Sequence, residues 1–325
     1  MPELRVDALT GLRVLIAPER SGRPGGMPEV TAPEPVDTAG DPFAPGHEDR
    51  TPPETLRLDG PDGSWRVRAF PNLFPAVVPD AREPERDARP ELFTVLRASG
   101  AHEVIVNTPD PLVSLAQVDA EQAALAVEAW RRRMRHHVDA GAAYVHLHVN
   151  ERAEGGASHA HAHAQLTALD FVPADIARER ERYGAYAART MGQDLLQDLL
   201  QEEVRRRRRL VAVDDEAVLL APFASRVPYQ LMVVPRRPAM AFEAEGQGGA
   251  RLLHEALRRL AARFGAPPPL TMWVRTAPRG ADRFGWRIDV LPRLIPLAGL
   301  ELGTGVHLNP VAPERAAAEL KEALA

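Results

Sequence analysis

The sequence predicts an α+β protein of two similar halves that together form one pseudo-symmetric unit. Each half offers the same series: a strand running into a proline-rich turn, an amphipathic helix, then paired strands. The 325 residues, 45% of them hydrophobic, can bury a core of that size. The halves are expected to divide into residues 1–175 and 176–325.

In the first half, an N-terminal arm is followed by a strand over Ser64–Val78 (SWRVRAFPNLFPAVV) and another over His102–Thr108. Asp119–Ala140 has helical periodicity, with Ala123, Leu125, Ala126, Ala129, Trp130 and Met134 on one stripe and arginines opposite. Strands over Ala143–Asn150 and His159–Leu169 follow, joined by a turn containing Gly155-Gly156. A helix over Ala174–Arg207 leads to the second series: Ala217–Pro222, Tyr229–Pro235, a helix over Gly249–Phe264, Leu270–Thr276 and Trp286–Leu291. The turns FPNLFP and APFASRVPY correspond.

Composition excludes several classes of function. The net charge is −5 with both signs interspersed, which is not the footprint of a nucleic-acid binder. The run Arg205–Arg209 reads as a solvated helix end. No apolar stretch approaches the roughly 18 residues that span a bilayer, and MPELRVDALT lacks a signal pattern, so a cytoplasmic protein without membrane partners is expected. With no cysteine, the chain has neither disulfides, thiolate nucleophiles nor Cys-ligated zinc. Prolines and glycines concentrated in Pro18–Pro53 and Pro79–Pro90 predict long ordered loops.

The chemistry concentrates in one strand. Side chains on a strand alternate faces, so His159, His161, His163 and Gln165 project to one side and Ala160, Ala162 and Ala164 to the other. Three readings account for the histidines: hydrogen bonding on an exposed face, a metal site, or nucleophilic catalysis on a phosphate ester. Neutral imidazole, with an ordinary pKa of about 6.5, attacks phosphorus well and also leaves well. Gly155-Gly156-Ala157-Ser158 would bring backbone N–H groups and a hydroxyl to phosphate oxygens, and Gln165 would donate its amide to one of them.

His161-Ala162-His163-Ala164-Gln165 resembles the His-x-His-x-Gln strand of the galactose-1-phosphate uridylyltransferase branch of the histidine-triad (HIT) superfamily, whose second histidine, here His163, is the nucleophile. The resemblance covers almost the whole chain. Arg5–Pro24 is similar to the family's N-terminal segment, and implies that Arg20 and Arg23 approach the phosphates. Phe70–Ala76 looks like the nucleotide-contacting turn with Asn72 in it, and Asn150 and Ser158 match positions that accompany the nucleophile. APFASRVPY and ELGTGVHLNPVAPE also match this branch.

The resemblance implies HIT-like halves, each an antiparallel sheet with packed helices. It implies transfer of UMP between a UDP-sugar and a sugar-1-phosphate through a nucleotidyl-His163, with His161 orienting the site and no magnesium needed. The alternatives are an NDP-sugar phosphorylase or adenylyltransferase of the same fold, or a non-catalytic nucleotide-binding relative. A homodimer with the site near its interface is likewise implied. The family's zinc would need two cysteines, a histidine after Thr-Pro-Asp and the first strand histidine; those positions read Asp41, Ala44, Pro111 and His161. Its second, iron-type site retains Glu179, with Arg275, Asp289 and Leu291 in place of histidines. Neither metal is expected. Gly285 and Arg287, flanking Trp286 where relatives show histidines, imply a changed acceptor side.

Overall fold

The computed structural model describes residues 1–22, 27–85, 87–244, 246 and 248–324. The first two strands, β1 (Glu3–Val6) and β2 (Arg13–Ile16), precede a long loop and then β3 (Leu56–Asp59), β4 (Trp65–Pro71) and β5 (Gly100–Val106). Helix α1 (Ala120–Asp139), β6 (Tyr144–Glu151) and β7 (His163–Leu169) complete the first series. After α2 (Ala174–Arg189) and α3 (Leu195–Arg206) come β8 (Leu210–Val213), β9 (Ala217–Leu220), β10 (Leu231–Pro235), α4 (Ala250–Phe264), β11 (Leu270–Arg275) and β12 (Arg287–Pro292). The chain ends in α5 (Gly299–Thr304), β13 (Val306–Asn309) and α6 (Pro313–Glu322).

Among the described residues, ten strands form one sheet in the order β3-β4-β5-β7-β6-β11-β12-β10-β9-β8. Read inward from either edge the pattern is the same, and every neighbouring pair is antiparallel. This is the doubled α+β architecture expected from the repeat. The series meet where β6 pairs with β11, Trp273 lying opposite His148 and Leu270 opposite Glu151. The two ends of the chain also meet: β2 pairs antiparallel with β1 and parallel with β13.

Helix α1 starts where it does because the Asp119 carboxylate caps it, accepting the Gln122 amide at 2.7 Å. Ala123, Ala126, Val127, Trp130 and Met134 face the sheet and join the apolar residues of β4 to β7, while α4 packs alongside over the second half. Burying the larger of these, such as Val127 and Met134, contributes roughly 1.5–3 kcal/mol each. The arginines expected on the solvent side include two that are buried: Arg133 forms a two-bonded pair with Glu103 (2.6 and 2.8 Å), and Arg131 donates to the carbonyls of Phe242 and Gly248. The opposite sheet face is covered over the second half by α2 and α3, through Ile176, Tyr183, Leu196 and Leu200 against Val218, Leu220 and Met232.

The helix expected over Ala174–Arg207 is two helices. Met191 and Gly192 take positive φ of 57° and 100°, which ends α2, and Asp194 caps α3 through the Gln197 amide. The arginine run divides too: Arg205 and Arg206 pair with Glu202 at the surface, whereas Arg209 is buried between Glu203 and Glu314.

The loop from β6 to β7 is pressed against β11. A Cβ on Gly155 would lie 2.5 Å from the Leu270 carbonyl oxygen, and Thr271 Oγ1 donates to the Gly155 carbonyl at 2.9 Å. Gly155→Ala is therefore expected to force backbone apart at the junction of the two series and to lower unfolding free energy by about 1–3 kcal/mol. Urea denaturation checks this, and an unchanged midpoint would contradict the close approach.

Candidate active site

Strand β7 runs between β5 and β6, with Val106 opposite His163 and His148 opposite Gln165. Regular alternation begins at His163 and not at His159, as the sequence suggested. The preceding residues bend: Ala162 donates its N–H to the Leu112 carbonyl, and its own carbonyl accepts from Asn107. Ala162 and Ala164 are buried against the core as expected, but Ala160 is exposed. His159, His161 and His163 nevertheless gather around one ring, Phe43, at centroid distances of 4.9, 6.2 and 5.3 Å.

His163 is buried, and its Nδ1 lies 2.8 Å from the His161 carbonyl oxygen. A carbonyl only accepts, so Nδ1 carries the hydrogen and Nε2 keeps its lone pair. Burial pushes the His163 pKa down to about 4 against the raising effect of that hydrogen bond, with His159, His161 and His148 adding to the fall. The ring is neutral at neutral pH.

His161 is turned aside. Its Nδ1 is 2.6 Å from Asp41 Oδ2 and its Nε2 is 2.8 Å from the Thr108 carbonyl. Burial raises the Asp41 carboxyl, but hydrogen bonds from His161 and the Phe43 amide outweigh it and hold it below its ordinary range.

Gln165 is oriented by a residue that sequence reasoning passed over. The Ala76 N–H donates to His102 Nδ1 (3.1 Å), which leaves the Nε2–H of His102 to donate to Gln165 Oε1 (3.1 Å). The Gln165 amide nitrogen is thereby left for the open face. Asn72 sits in the same group, its Oδ1 accepting the Phe74 amide and its Nδ2 3.3 Å from His102 Nε2. His102 opens the motif HEVIVNT, so its presence was visible, but its place opposite Thr167 follows only from strand register. Beyond Gln165 the face continues with His148, whose pKa burial, helped by His102, lowers to about 4.

Asn150 follows Val149, the partner of Ala164, and so stands beside His163; its Nδ2 donates to the Gly156 carbonyl and its Oδ1 is buried without a partner. Ser158 is exposed in the bend before His159. The amides of Gly155, Gly156 and Ala157 do not serve as phosphate donors, because they bond to the carbonyls of Arg152, Ala153 and Arg152. Arg20 is exposed in a short 3-10 turn after β2, and no hydrogen bond or ion pair joins it to the histidine strand among the described residues. Arg23 lies outside the described residues.

The doubled sheet, with a histidine–glutamine strand on the open face of one half, defines a HIT-like protein of the uridylyltransferase branch. Residues 1–173 match the family described as galactose-1-phosphate uridyl transferase, N-terminal domain, and the chain belongs to that family. Residues 98–325 also match a domain of unknown function, DUF4921. ADP-glucose phosphorylase of Arabidopsis thaliana is 26% identical over 339 residues, which cover 99% of this chain and 93% of that one. Galactose-1-phosphate uridylyltransferase of Haemophilus influenzae is 26% identical over 297 residues, covering 88% and 82%. The crystal structure of an Arabidopsis ADP-glucose phosphorylase with bound ADP-glucose superposes with a TM-score of 0.82 at 25% identity, covering 99% of each chain.

The residues at the expected metal positions do not fit metals. Of the zinc set, Asp41 and His161 come together, but Ala44 and Pro111 offer no ligand atom, and both nitrogens of His161 are engaged with other partners. At the second position the Arg287 guanidinium occupies the space between acids: both of its terminal nitrogens bond to Glu179, and its Nε is 3.2 Å from Asp289 Oδ2. Asp289 also accepts from Trp273 Nε1 at 3.2 Å. Leu291 is buried, and Arg275 lies opposite Arg287 on β11. Among the described residues no group of three or more His, Asp or Glu side chains is placed to hold an ion. Removing the cation while leaving both carboxylates buried is strongly unfavourable. Arg287→Met should cost about 3–5 kcal/mol of stability, with part recovered when Glu179→Gln and Asp289→Asn are added. Equilibrium denaturation of the three forms checks this; an isolated Arg287→Met as stable as wild type would contradict it.

Proposed function

We propose that the chain is a nucleotidyltransferase that moves UMP between a UDP-sugar and a sugar-1-phosphate through a covalent intermediate on His163. The observation that carries the proposal is a buried, neutral imidazole whose Nδ1–H is bound to a carbonyl and whose Nε2 is unencumbered. Nε2 attacks the α-phosphorus, the bond to the bridging oxygen breaks, and sugar-1-phosphate leaves. The nucleotidylated ring, substituted on Nε2 and still bearing its Nδ1–H, gains positive charge, which strengthens that bond to the His161 carbonyl. The acceptor's phosphate oxygen then attacks the same phosphorus and the N–P bond breaks, restoring neutral His163.

In this reading Gln165, its amide aimed by His102, donates to a non-bridging oxygen as charge builds there. His161 holds the carbonyl that sets the tautomer of His163. Asn72, Asn150, Ser158, Arg20 and Arg23 are assigned to nucleotide and phosphate binding on the family resemblance. No metal or other cofactor takes part. The setting is cytoplasmic, the partners are a nucleotide-sugar and a sugar-1-phosphate, and the active form is a homodimer; no helix among the described residues is long and apolar enough to cross a membrane. A second reading, phosphorolysis of ADP-glucose with inorganic phosphate as acceptor, is supported by the near full-length similarity to an ADP-glucose phosphorylase.

Intact-protein mass spectrometry after brief mixing with UDP-glucose, ADP-glucose or GDP-sugars tests both readings. Wild type should gain one nucleoside monophosphate, whose mass names the base, and His163→Asn should gain none. A wild type that binds these donors and gains nothing would refute covalent transfer.

The pH dependence follows from the lowered pKa. A nucleophile that stays deprotonated down to about pH 4 should be labelled at pH 5.5 within about twofold of its rate at pH 7.5, whereas an ordinary imidazole would lose about tenfold. A rate falling with a midpoint near 6.5 would show that burial does not set the protonation of His163.

A further inference from the structure

Asp41 belongs to the loop between β2 and β3, far in sequence from the histidine strand, yet it is buried and its two carboxylate oxygens and its carbonyl are all used. Oδ1 accepts the Phe43 amide at 2.9 Å, Oδ2 meets His161 Nδ1 at 2.6 Å, and the Asp41 carbonyl lies 2.7 Å from His47 Nδ1. The other nitrogen of His161 is tied to the Thr108 carbonyl at 2.8 Å. Between them, the carboxylate and that carbonyl leave the His161 ring no freedom to turn.

Two consequences reach His163. The residue whose ring is clamped is the one whose backbone carbonyl accepts the His163 Nδ1–H. The turn closed by Asp41 Oδ1 also places Phe43, whose ring lies 5.3 Å from that of His163 and excludes water on that side. Because β7 becomes a regular strand only at His163, the ladder does not itself hold His161 in place. The Ala162 N–H bond to the Leu112 carbonyl fixes the peptide plane that carries the His161 carbonyl, which leaves the His161 side chain to be fixed by other groups, and at this position the chain lacks the donor set for a zinc ion.

We propose that Asp41 is a positioning residue for the nucleophile: its carboxylate clamps His161, without a metal ion, so that the His161 carbonyl and Phe43 hold His163 with Nε2 toward the substrate. The inference rests on the covalent mechanism proposed above. Asp41 touches neither substrate nor phosphorus, so its loss should slow the chemical step and spare binding. A residue that merely stabilised the fold would not produce that separation.

The test uses the full chain with Asp41→Asn, which keeps the size and the acceptor for the Phe43 amide but weakens the contact to His161. Three quantities are compared: the rate of His163 labelling at saturating nucleotide-sugar, nucleotide-sugar affinity measured on the His163→Asn background, and bound zinc with the effect of a chelator. The expected result is labelling slowed by about 10- to 100-fold, the range for removing a partner that orients a functional histidine, with affinity changed less than about twofold. Wild type should carry no stoichiometric zinc and label at the same rate after chelation. Asp41→Asn labelling at the wild-type rate would overturn the proposal, as would wild-type labelling that is lost on chelation and restored by zinc. If Asp41→Asn does not fold, Asp41→Glu, which retains the charge but displaces it, takes its place; slowed labelling with unchanged affinity supports the clamp and a wild-type rate overturns it. Wild type that never labels would refute the functional reading itself, an outcome distinct from equal labelling of both forms.

Discussion

The site depends on the bond from His163 Nδ1–H to the His161 carbonyl. An imidazole can present either nitrogen to a phosphorus atom, and in water, with a pKa of about 6.5, it takes up a proton as the pH falls below neutral. Here one backbone oxygen settles which nitrogen is free, while burial keeps the ring neutral. The surrounding arrangement serves these two conditions: β5 and β6 enclose β7, Phe43 closes the near side, and the Asp41–His161–Thr108 chain holds the carbonyl where it is needed.

The same sheet face shows how the two halves diverged. Gln165, His148, Trp273 and Asp289 lie opposite one another across β7, β6, β11 and β12, so one row of side chains crosses the junction. On the first half the row carries groups left open to a ligand. On the second half Asp289 is bound to Arg287 and Trp273, and all three nitrogens of the Arg287 guanidinium donate to Glu179 or Asp289. A buried guanidinium held between two carboxylates is an internal ion-pair cluster in the second half, where the first half carries its histidine strand.

Much of this was legible because it is local. The period of α1 and the alternation of His163 and Gln165 both lie within short stretches of chain, and the doubled series could be read from the order of its elements. What escaped notice depends on pairings between distant segments. His102 reaches Gln165 only through the β5–β7 register, and Asp41 reaches His161 across 120 residues of sequence. The bend at His159–Ala162 replaced an expected strand because Ala162 is held by Leu112 and Asn107, and the Met191-Gly192 break, with Asp194 capping the next helix, divided a stretch expected as one helix. Gly155 and Gly156 suggested a phosphate cradle, but their amides are spent inside the loop and Gly155 is needed for the close approach to β11.

The most direct test of the account is the protonation of the His163 ring itself, read from imidazole nitrogen shifts by NMR on labelled protein, with His163→Asn used to assign the resonance among the 11 histidines. From pH 5 to 8 the account predicts one proton-bearing nitrogen, Nδ1, and one bare nitrogen, Nε2, with no titration across that range. A ring protonated on Nε2 instead, or one gaining a second proton near pH 6.5, would contradict it.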